Sequence, residues 1–323
     1  MPSAPIRFRI RLPCPPPKGL RAWGDYHFGM SLAGALERRG HKILMSFDLK
    51  VKHKNSRWKR LRYAFATWWN AFRFNPDIDF VLRGPRLMPA ARGRKNIMWL
   101  ISCSEMTTDF ELKAFDHIFV ASTSHAALMQ SRGIKQVSVL LQCTDSTRFF
   151  PRPANPDLAS ECLFVGVKRK FDRISVLHAI RMGLSLKVWG WGWHSAVPPQ
   201  FMAGTEIDNA KLGEHYCSAR LVLNDHTPDM AEHGFTSNRV FDVLACGVPI
   251  LSDRAADLPE MIAKEVYVFS DYESFGDAVK SALSENAERK KRRLEVAEII
   301  AREHDFDARA VEIERVAHGI LAS

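Results

Sequence analysis

The chain has 323 residues, 46% of them apolar and 25% charged, and carries a net charge of +10. That length and balance suit two globular domains or one large α/β domain, and they exclude a disordered tail, a collagen-like repeat and a small disulfide scaffold. No apolar run approaches the ~20 residues that cross a bilayer. The N-terminal MPSAPIRFRIRLPCPPPKG lacks the apolar core of a signal peptide, so a cytoplasmic chain is expected. Six singly spaced cysteines (Cys14, Cys103, Cys143, Cys162, Cys217 and Cys246) read as reduced core thiols, not as a zinc site or a disulfide framework.

In chain order, the first third reads as strand, loop, helix and strand. The segments are RFRIRL, GLRAWGDYH, FGMSLAGALERRG ending at Gly40, and HKILMSF. This order is the unit of a parallel sheet.

The positive charge sits in the next segment. From Lys50 to Arg73 there are eight basic residues (Lys50, Lys52, Lys54, Arg57, Lys59, Arg60, Arg62 and Arg73) and no acidic one. The rest of the chain holds 38 basic and 36 acidic residues. Trp58, Leu61, Phe65, Trp68 and Phe72 recur here at helical spacing, extended by Trp69, with Lys59, Arg60 and Arg62 off that stripe. One reading is a helix attached to an anionic membrane surface, making the protein peripheral on the inner face of the membrane. The other is a core-packed helix with a solvated basic side. Nucleic acid is the least favoured partner, because the excess charge is local. The later RKKRR run (289–293), set among Glu288, Glu295 and Glu298, reads as a solvated helix face.

Further on, IDFVLRG, KNIMWLIS, HIFVAST and QVSVLLQ read as strands, with HAALMQSRG a helix between the last two. The proline-rich RFFPRPANPDLASE reads as a linker, dividing the chain into 1–150, which carries the basic aromatic insertion 50–75, and 151–323. A second alternating series follows: CLFVGV, SVLHAIRMG, LSLKVWGWG, KLGEHYCSA, RLVLND, SNRVFDVLACG, VPILSD and VYVFS. From about Ser274 the chain reads as almost wholly helical. The expected fold is α/β, two Rossmann-like domains facing a cleft, with C-terminal helices.

The stretch that carries chemistry is LVLNDHTPDMAEHGFTSNRVFDVLACGVPILSD (221–253). Its first strand ends at Asn224 and Asp225, where a parallel sheet offers its ligand crevice. Ser237 is a good N-cap for a helix through Asn238, Arg239, Phe241 and Asp242 that stops before Pro249. Backbone N–H groups at Ser237 and Asn238, together with Arg239, suit a phosphate. Asp242 suits sugar hydroxyls, and Glu232 and His233 add polar reach. The spacing alone fits an anion-and-polyol pocket or an ordinary strand–loop–helix with a capping serine. Asp25 and His27 in the N-terminal loop are candidate proton acceptors, an unperturbed imidazole (pKa ~6.5) being able to take a proton near neutral pH. Their alternative is a helix cap and a core histidine. His194 and His226 read as structural or substrate-contacting, and Gly190-Trp191-Gly192 as a loop.

At these residues the chain resembles glycosyltransferases of the GT-B type, in particular family 4-like enzymes and the spore-protein CgeB-like group. FDVLACGVPILSD is similar to that family's E-A-x-A-C-G-x-P-V helix–turn–strand. Asp242 stands where the family has its second glutamate; the place of the first is Gly234, two residues after Glu232. DHIFVASTSHAALMQSRG followed by LLQCTDSTRFFPRP resembles the end of the acceptor domain and its linker. CLFVGVKRKFDR resembles the first strand of the donor domain, and WGDYHFGMSLAGALERRGHKI the N-terminal glycine loop and helix.

The resemblance implies a metal-independent, retaining glycosyltransferase of the hexosyltransferase kind that needs no cofactor. It would move a sugar from a nucleotide-diphosphate sugar to a hydroxyl of a glycan or lipid-linked acceptor, as in polysaccharide biosynthesis. The donor residues it implies are Gly166, Arg169, Lys170, Arg173, Asn224, Glu232, His233, Gly234, Phe235, Ser237, Asn238, Arg239 and Asp242, with Asp25 and His27 on the acceptor side. A non-catalytic GT-B-fold protein, acting as a binding or maturation partner, is the alternative, because the first glutamate is displaced.

Overall fold

The computed structural model describes residues 4–17, 22–48, 57–255 and 257–323. Lys50, Lys52 and Lys54 of the basic segment, and the GLR that opens the N-terminal loop, lie outside the described residues.

The chain folds into two units. The first runs to Leu141 and also holds His233–Phe235 and Phe306–Ser323; the second is Gln142–Glu232 with Thr236–Asp305. In the first unit the elements are β1 (Arg7–Leu12), α1 (Gly24–Arg38), β2 (Lys42–Phe47), α2 (Arg57–Phe74), β3 (Ile78–Arg83), β4 (Lys95–Leu100), α3 (Asp109–Leu112), β5 (His117–Val120), α4 (Thr123–Ser131) and β6 (Val137–Val139). The strands form one sheet in the order β2-β1-β3-β4-β5-β6, every pair parallel.

Strand β1 shows why the sheet forms as it does. Phe8, Ile10 and Leu12 alternate into the core with no exposed surface, while Arg7, Arg9 and Arg11 take the opposite face. On β3 the register sets Asp79 opposite Arg9, and the two side chains pair. Arg7 binds Asp77 at 2.6 Å, and its hydrogen bond holds the Asp77 carboxyl below the usual carboxylate range. The interior strand β3 is buried at every position, as a strand covered on both faces must be.

Helix α1 begins at Gly24, inside the segment expected to be loop. Asp25 and His27 therefore lie on its first turn, where an acidic side chain is favoured by the helix dipole. The stripe of α2 is not a core face. Trp58, Leu61, Phe65, Trp68, Trp69 and Phe72 are all exposed, and among the described side chains of that helix only Ala71 is buried.

The second unit contains β7 (Ser160–Val165), α5 (Ile174–Arg181), β8 (Leu186–Trp189), β9 (Met202–Gly204), α6 (Leu212–Cys217), β10 (Ala219–Asn224), α7 (Pro228–Glu232), α8 (Asn238–Ala245), β11 (Ile250–Ser252), α9 (Glu260–Ala263), β12 (Val266–Val268), α10 (Tyr272–Leu283) and α11 (Ala287–Glu303). Its sheet, again all parallel, has the order β12-β11-β10-β7-β8-β9. Counted within the unit this is the doubly wound order of dinucleotide-binding folds, and the direction of winding reverses between β7 and β10. Phe164, Val188, Trp193, Leu221, Leu223, Leu251 and Phe275 fill its core.

The basic run on α11 is not simply a solvated face. Arg293 is buried, pairs with Glu285 and donates from Nε to the Gly247 carbonyl at 3.1 Å. Arg292 reaches the buried Glu265 at 2.8 Å. These pairs fasten α11 beside the end of α8.

A last helix, α12 (Phe306–Ala322), groups with the first unit although it ends the chain. Phe306 meets Phe28 edge-on at 4.8 Å, Asp307 binds Arg38 at 2.7 Å, and Arg309 donates to the Leu141 carbonyl at 2.9 Å. The spatial division thus falls before the proline-rich segment and assigns the terminal helix to the first half. Cys14, Cys143, Cys162 and Cys246 are buried and Cys103 and Cys217 half-buried, and no disulfide joins any of the six. Among the described residues no helix is long and apolar enough to cross a membrane.

Candidate functional site

In an open parallel sheet, the strand ends on either side of the point where winding reverses leave a crevice that ligands occupy. In the second unit those ends are Val165 of β7 and Asn224 of β10, and the sequence gathers polar side chains at both.

Two arginines meet there. Arg173, in the turn before α5, is buried; its Nη1 donates to the Asp225 carbonyl at 2.9 Å, and its Nε has no hydrogen-bond partner among the described residues. Arg239, on the first turn of α8, donates to Asn224 Oδ1 at 2.7 Å and to the Val165 carbonyl at 2.6 Å. Both guanidinium carbons lie over the buried ring of Phe164, at 5.8 and 5.2 Å from its centroid. Burial, followed by the charge of Arg239, lowers the Arg173 pKa to about 10. Arg173 therefore stays cationic at neutral pH, and these hydrogen bonds of the two side chains go to neutral oxygens. The result is a concentrated positive charge at the end of β7.

Gly166 lets them approach. A Cβ there would lie 3.0 Å from the Arg239 guanidinium and 3.2 Å from the Phe164 ring. The turn after β8 is drawn against the same point. Gly190 has φ +140°, and a Cβ on it would stand 2.1 Å from the Gly166 carbonyl oxygen, so that position accepts only glycine. Lys168 ties the intervening loop, its Nζ donating to the Arg169 and Phe171 carbonyls at 3.2 and 3.0 Å. Arg169 and Lys170 are exposed beside it.

The end of β10 is a closed hydrogen-bond network. Asn224 is fully buried; its amide donates to Ser252 at 2.9 Å, and its oxygen accepts from Ser237 Oγ at 3.1 Å as well as from Arg239. Asp225 caps α5, accepting from the Ser175 backbone and hydroxyl at 3.0 and 2.8 Å. Burial pushes its carboxyl up to about 6 in spite of those bonds. His226 Nε2 accepts from the Ser237 N–H at 3.0 Å, which leaves the ring proton on Nδ1, donated to Asp253 at 2.6 Å.

These bonds correct the expected phosphate cradle. The Ser237 N–H is taken by His226, and the Asn238 N–H by the Gln142 side chain at 2.8 Å. Ser237 occupies the N-cap position but makes no side-chain cap bond. Asp242, expected to hold sugar hydroxyls, is buried, with Thr144 donating to one oxygen at 2.8 Å and Asn238 to the other at 3.1 Å. Burial raises its pKa to about 7. Its geometry makes it an anchor between α8 and the 142–145 segment.

The remaining expected residues separate. Glu232 is exposed at the end of α7. His233, Gly234 and Phe235 group with the first unit: Phe235 is fully buried 5.4 Å from the His125 ring, His233 lies 5.1 Å from that ring, and Ser122 donates to the His233 carbonyl at 2.7 Å. In the first unit the winding reverses between β1 and β3. Asp25 lies at those strand ends: its charge helps raise the Cys14 thiol after burial does, and its carboxylate is 3.4 Å from where a Gly84 Cβ would stand. His27 packs edge-on to Tyr26 at 5.4 Å.

Sequence reasoning missed Phe164, Lys168, Gln142, Thr144 and Asp253. Only Asp253 left a readable signal, an acid ending the strand after the capped helix. Two Asp-x-Asp triplets, a pattern used by metal-dependent sugar transferases, also occur in the chain. Asp77 and Asp79 are paired with Arg7 and Arg9, Asp307 with Arg38, and Asp305 accepts from Ser146 at 2.8 Å. Among the described residues no three acidic, histidine or cysteine side chains are placed to share a metal ion.

Residues 169–315 match the sequence model of a family described as glycosyl transferase-like, a span holding Arg173, Asn224 and Arg239. No curated protein matches the chain. Among solved structures it is similar to a glycosyltransferase from Rickettsia africae ESF-5, at 10% identity and a TM-score of 0.64, covering 99% of both chains. It is also similar to an α-glucosyltransferase in complex with UDP and a 13-mer DNA containing a HMU base, at 12% identity and TM-score 0.61, covering 99% of this chain and 100% of that one. A lipopolysaccharide outer core galactosyltransferase, WaaB, is similar at 10% identity and TM-score 0.55, covering 95% and 98%. At such identities the likeness establishes the fold: two parallel six-stranded α/β sheets of the GT-B class. The family match and that fold together support glycosyl transfer as the general class of reaction.

Proposed function

We propose that the protein transfers a sugar from a nucleotide-diphosphate sugar to an acceptor hydroxyl, with the diphosphate held at Arg173 and Arg239. The observation that carries this reading is the pair of guanidinium groups over Phe164 at the β7 end, bonded only to neutral oxygens. As the glycosidic bond breaks, negative charge grows on the leaving diphosphate. Fixed cations aimed there stabilise the transition state more than the ground state. Arg169 and Lys170 on the adjacent loop reach the outer phosphate. With this much positive charge the reaction proceeds without a metal and without a cofactor.

The transferred group is a hexose and its anomeric configuration is retained. The acceptor is a glycan or glycolipid, and Asp25 and His27 position its hydroxyl or take its proton. Hydrolysis or transfer from a panel of UDP-, GDP- and dTDP-sugars tests the reading. One donor should turn over, and Arg239→Ala should cut that turnover by a factor of ~10². Full turnover in that variant would contradict the assignment.

The second reading, a non-catalytic GT-B-fold partner protein, is favoured by the closure of Asp242 and of the Ser237 and Asn238 amides in internal bonds. It predicts nucleotide binding with no turnover of any donor in the panel.

A further inference from the structure

We propose that α2 is a docking surface for an anionic lipid bilayer. Along this helix Trp58 is 79% exposed, Phe65 63%, Phe72 60%, Trp68 56%, Leu61 54% and Trp69 45%. Six large apolar side chains on one helix face far exceed the scattered exposed hydrophobics of an ordinary surface. They form one continuous strip: Phe65 meets Trp69, and Trp68 and Trp69 each meet Phe72, at 5.6 to 6.4 Å between ring centroids. Arg62 and Arg73 are exposed on the same helix, and the segment from Lys50 to Phe74 contains no acidic residue.

Charge and chemistry select the occupant. Tryptophan prefers the headgroup boundary, where its ring is buried and its N–H stays hydrated, and a cationic flank is drawn to anionic headgroups. A second copy of the chain is disfavoured, because a symmetric contact would bring two segments of eight cations together. Single-stranded nucleic acid needs open ring faces for its bases. Here the faces are turned on one another, with Trp68 and Phe72 at 17° and Phe65 and Trp69 at 13° between planes. A bilayer asks only for a continuous apolar strip with a basic flank. The inference stands on α2 alone and does not need the transfer activity.

The test is co-sedimentation of the full chain with vesicles of phosphatidylcholine alone and with about one-third phosphatidylglycerol. The expected result is a partition at least ~10-fold stronger on the anionic vesicles, weakened by salt. Replacing Trp58, Phe65, Trp68 and Phe72 together by serine should lower it ~10-fold or more with no fall in melting temperature, since all four side chains are exposed. Arg62→Glu with Arg73→Glu should remove the preference for anionic lipid. Arg239→Ala should leave vesicle binding intact, which separates this inference from the proposed reaction. No partition, or equal partition onto both vesicles, overturns it. So does tighter binding to a single-stranded oligonucleotide than to anionic vesicles, or a dimer in solution that the serine variant abolishes.

Discussion

Arg173 and Arg239, 66 positions apart in the chain, share one aromatic ring: their guanidinium carbons lie 5.8 and 5.2 Å from the centroid of Phe164. Like charges drawn together over an apolar floor repel, and the lowered pKa of Arg173 registers that repulsion after the cost of burial. An anion at the β7 end would relieve it.

The approach of the two turns predicts one sharp stability effect. Gly190→Ala must fit a Cβ 2.1 Å from the Gly166 carbonyl at a φ of +140°. Its melting transition should fall by the equivalent of about 2–4 kcal/mol, and the loss should extend to nucleotide binding through displaced Gly166. A melting curve equal to wild type would refute the close approach.

His226 predicts a second effect. His226→Phe removes both the acceptor for the Ser237 N–H and the donor to Asp253. Leaving the partly buried Ser237 N–H unpaired, with Asp253 held only by the residue 226 N–H and the Ser252 hydroxyl, should cost about 1–3 kcal/mol by chemical denaturation. Ser237→Ala removes one neutral hydroxyl bond to Asn224 and should cost about 1 kcal/mol. Equal costs for the two variants would mean that the histidine is not the organising group.

Asp242 makes stability depend on pH. Its carboxyl is raised to about 7 in the folded chain, above the ~3.9 of an unfolded aspartate. The unfolded state therefore ionises first, and stability falls as pH rises from about 4 to about 7, then levels. Asp225, raised to about 6, acts in the same direction. Asp242→Asn removes the larger contribution, so its stability relative to wild type should climb through that window, by on the order of a few kcal/mol. A difference independent of pH would show that Asp242 is ionised in the folded chain.

Cys217 should be the first thiol to react. The neighbouring Cys246 thiol, aided by Arg152, holds it below the ordinary thiol range, while burial raises Cys14 and Cys162 to about 12. Iodoacetamide at neutral pH should modify one cysteine quickly, and Cys217→Ser should abolish that fast phase. Uniformly slow labelling of all six would contradict this ordering.

How far the sequence could be read depended on whether the deciding contacts were local. RFRIRL alternates arginine with apolar residues, and the 3-4-3-4 spacing from Trp58 to Phe72 repeats at the period of a helix, so β1 and α2 could be drawn from the chain alone. Two doubly wound sheets followed from β–α alternation on both sides of the proline-rich segment, and the GT-B expectation from the resemblance carried by FDVLACGVPILSD and its neighbours. What a helix packs against is not local. α12 is amphipathic, but nothing in its residues says that Phe306 will meet Phe28, so a division of the chain at 150/151 keeps the terminal helix with the second half while its contacts group it with the first. Arg173 and Arg239 could be named from the sequence because one lies in the basic loop after CLFVGV and the other on the first turn of the helix after RLVLND. Gln142 and Thr144 were not: they bond Asn238 and Asp242 across separations of 96 and 98 residues. The Ser237 and Asn238 amides looked available for phosphate because nothing in the local spacing shows that His226 and Gln142 accept from them.

The central claim is that Arg173 and Arg239 form a diphosphate site, and isothermal titration calorimetry with UDP, GDP and dTDP tests it most directly. One nucleoside diphosphate should bind the wild type at least ~10-fold more tightly than its nucleoside, and Arg173→Gln with Arg239→Gln should remove that advantage while the fold melts cooperatively. Unchanged diphosphate affinity in the folded double variant would contradict the account.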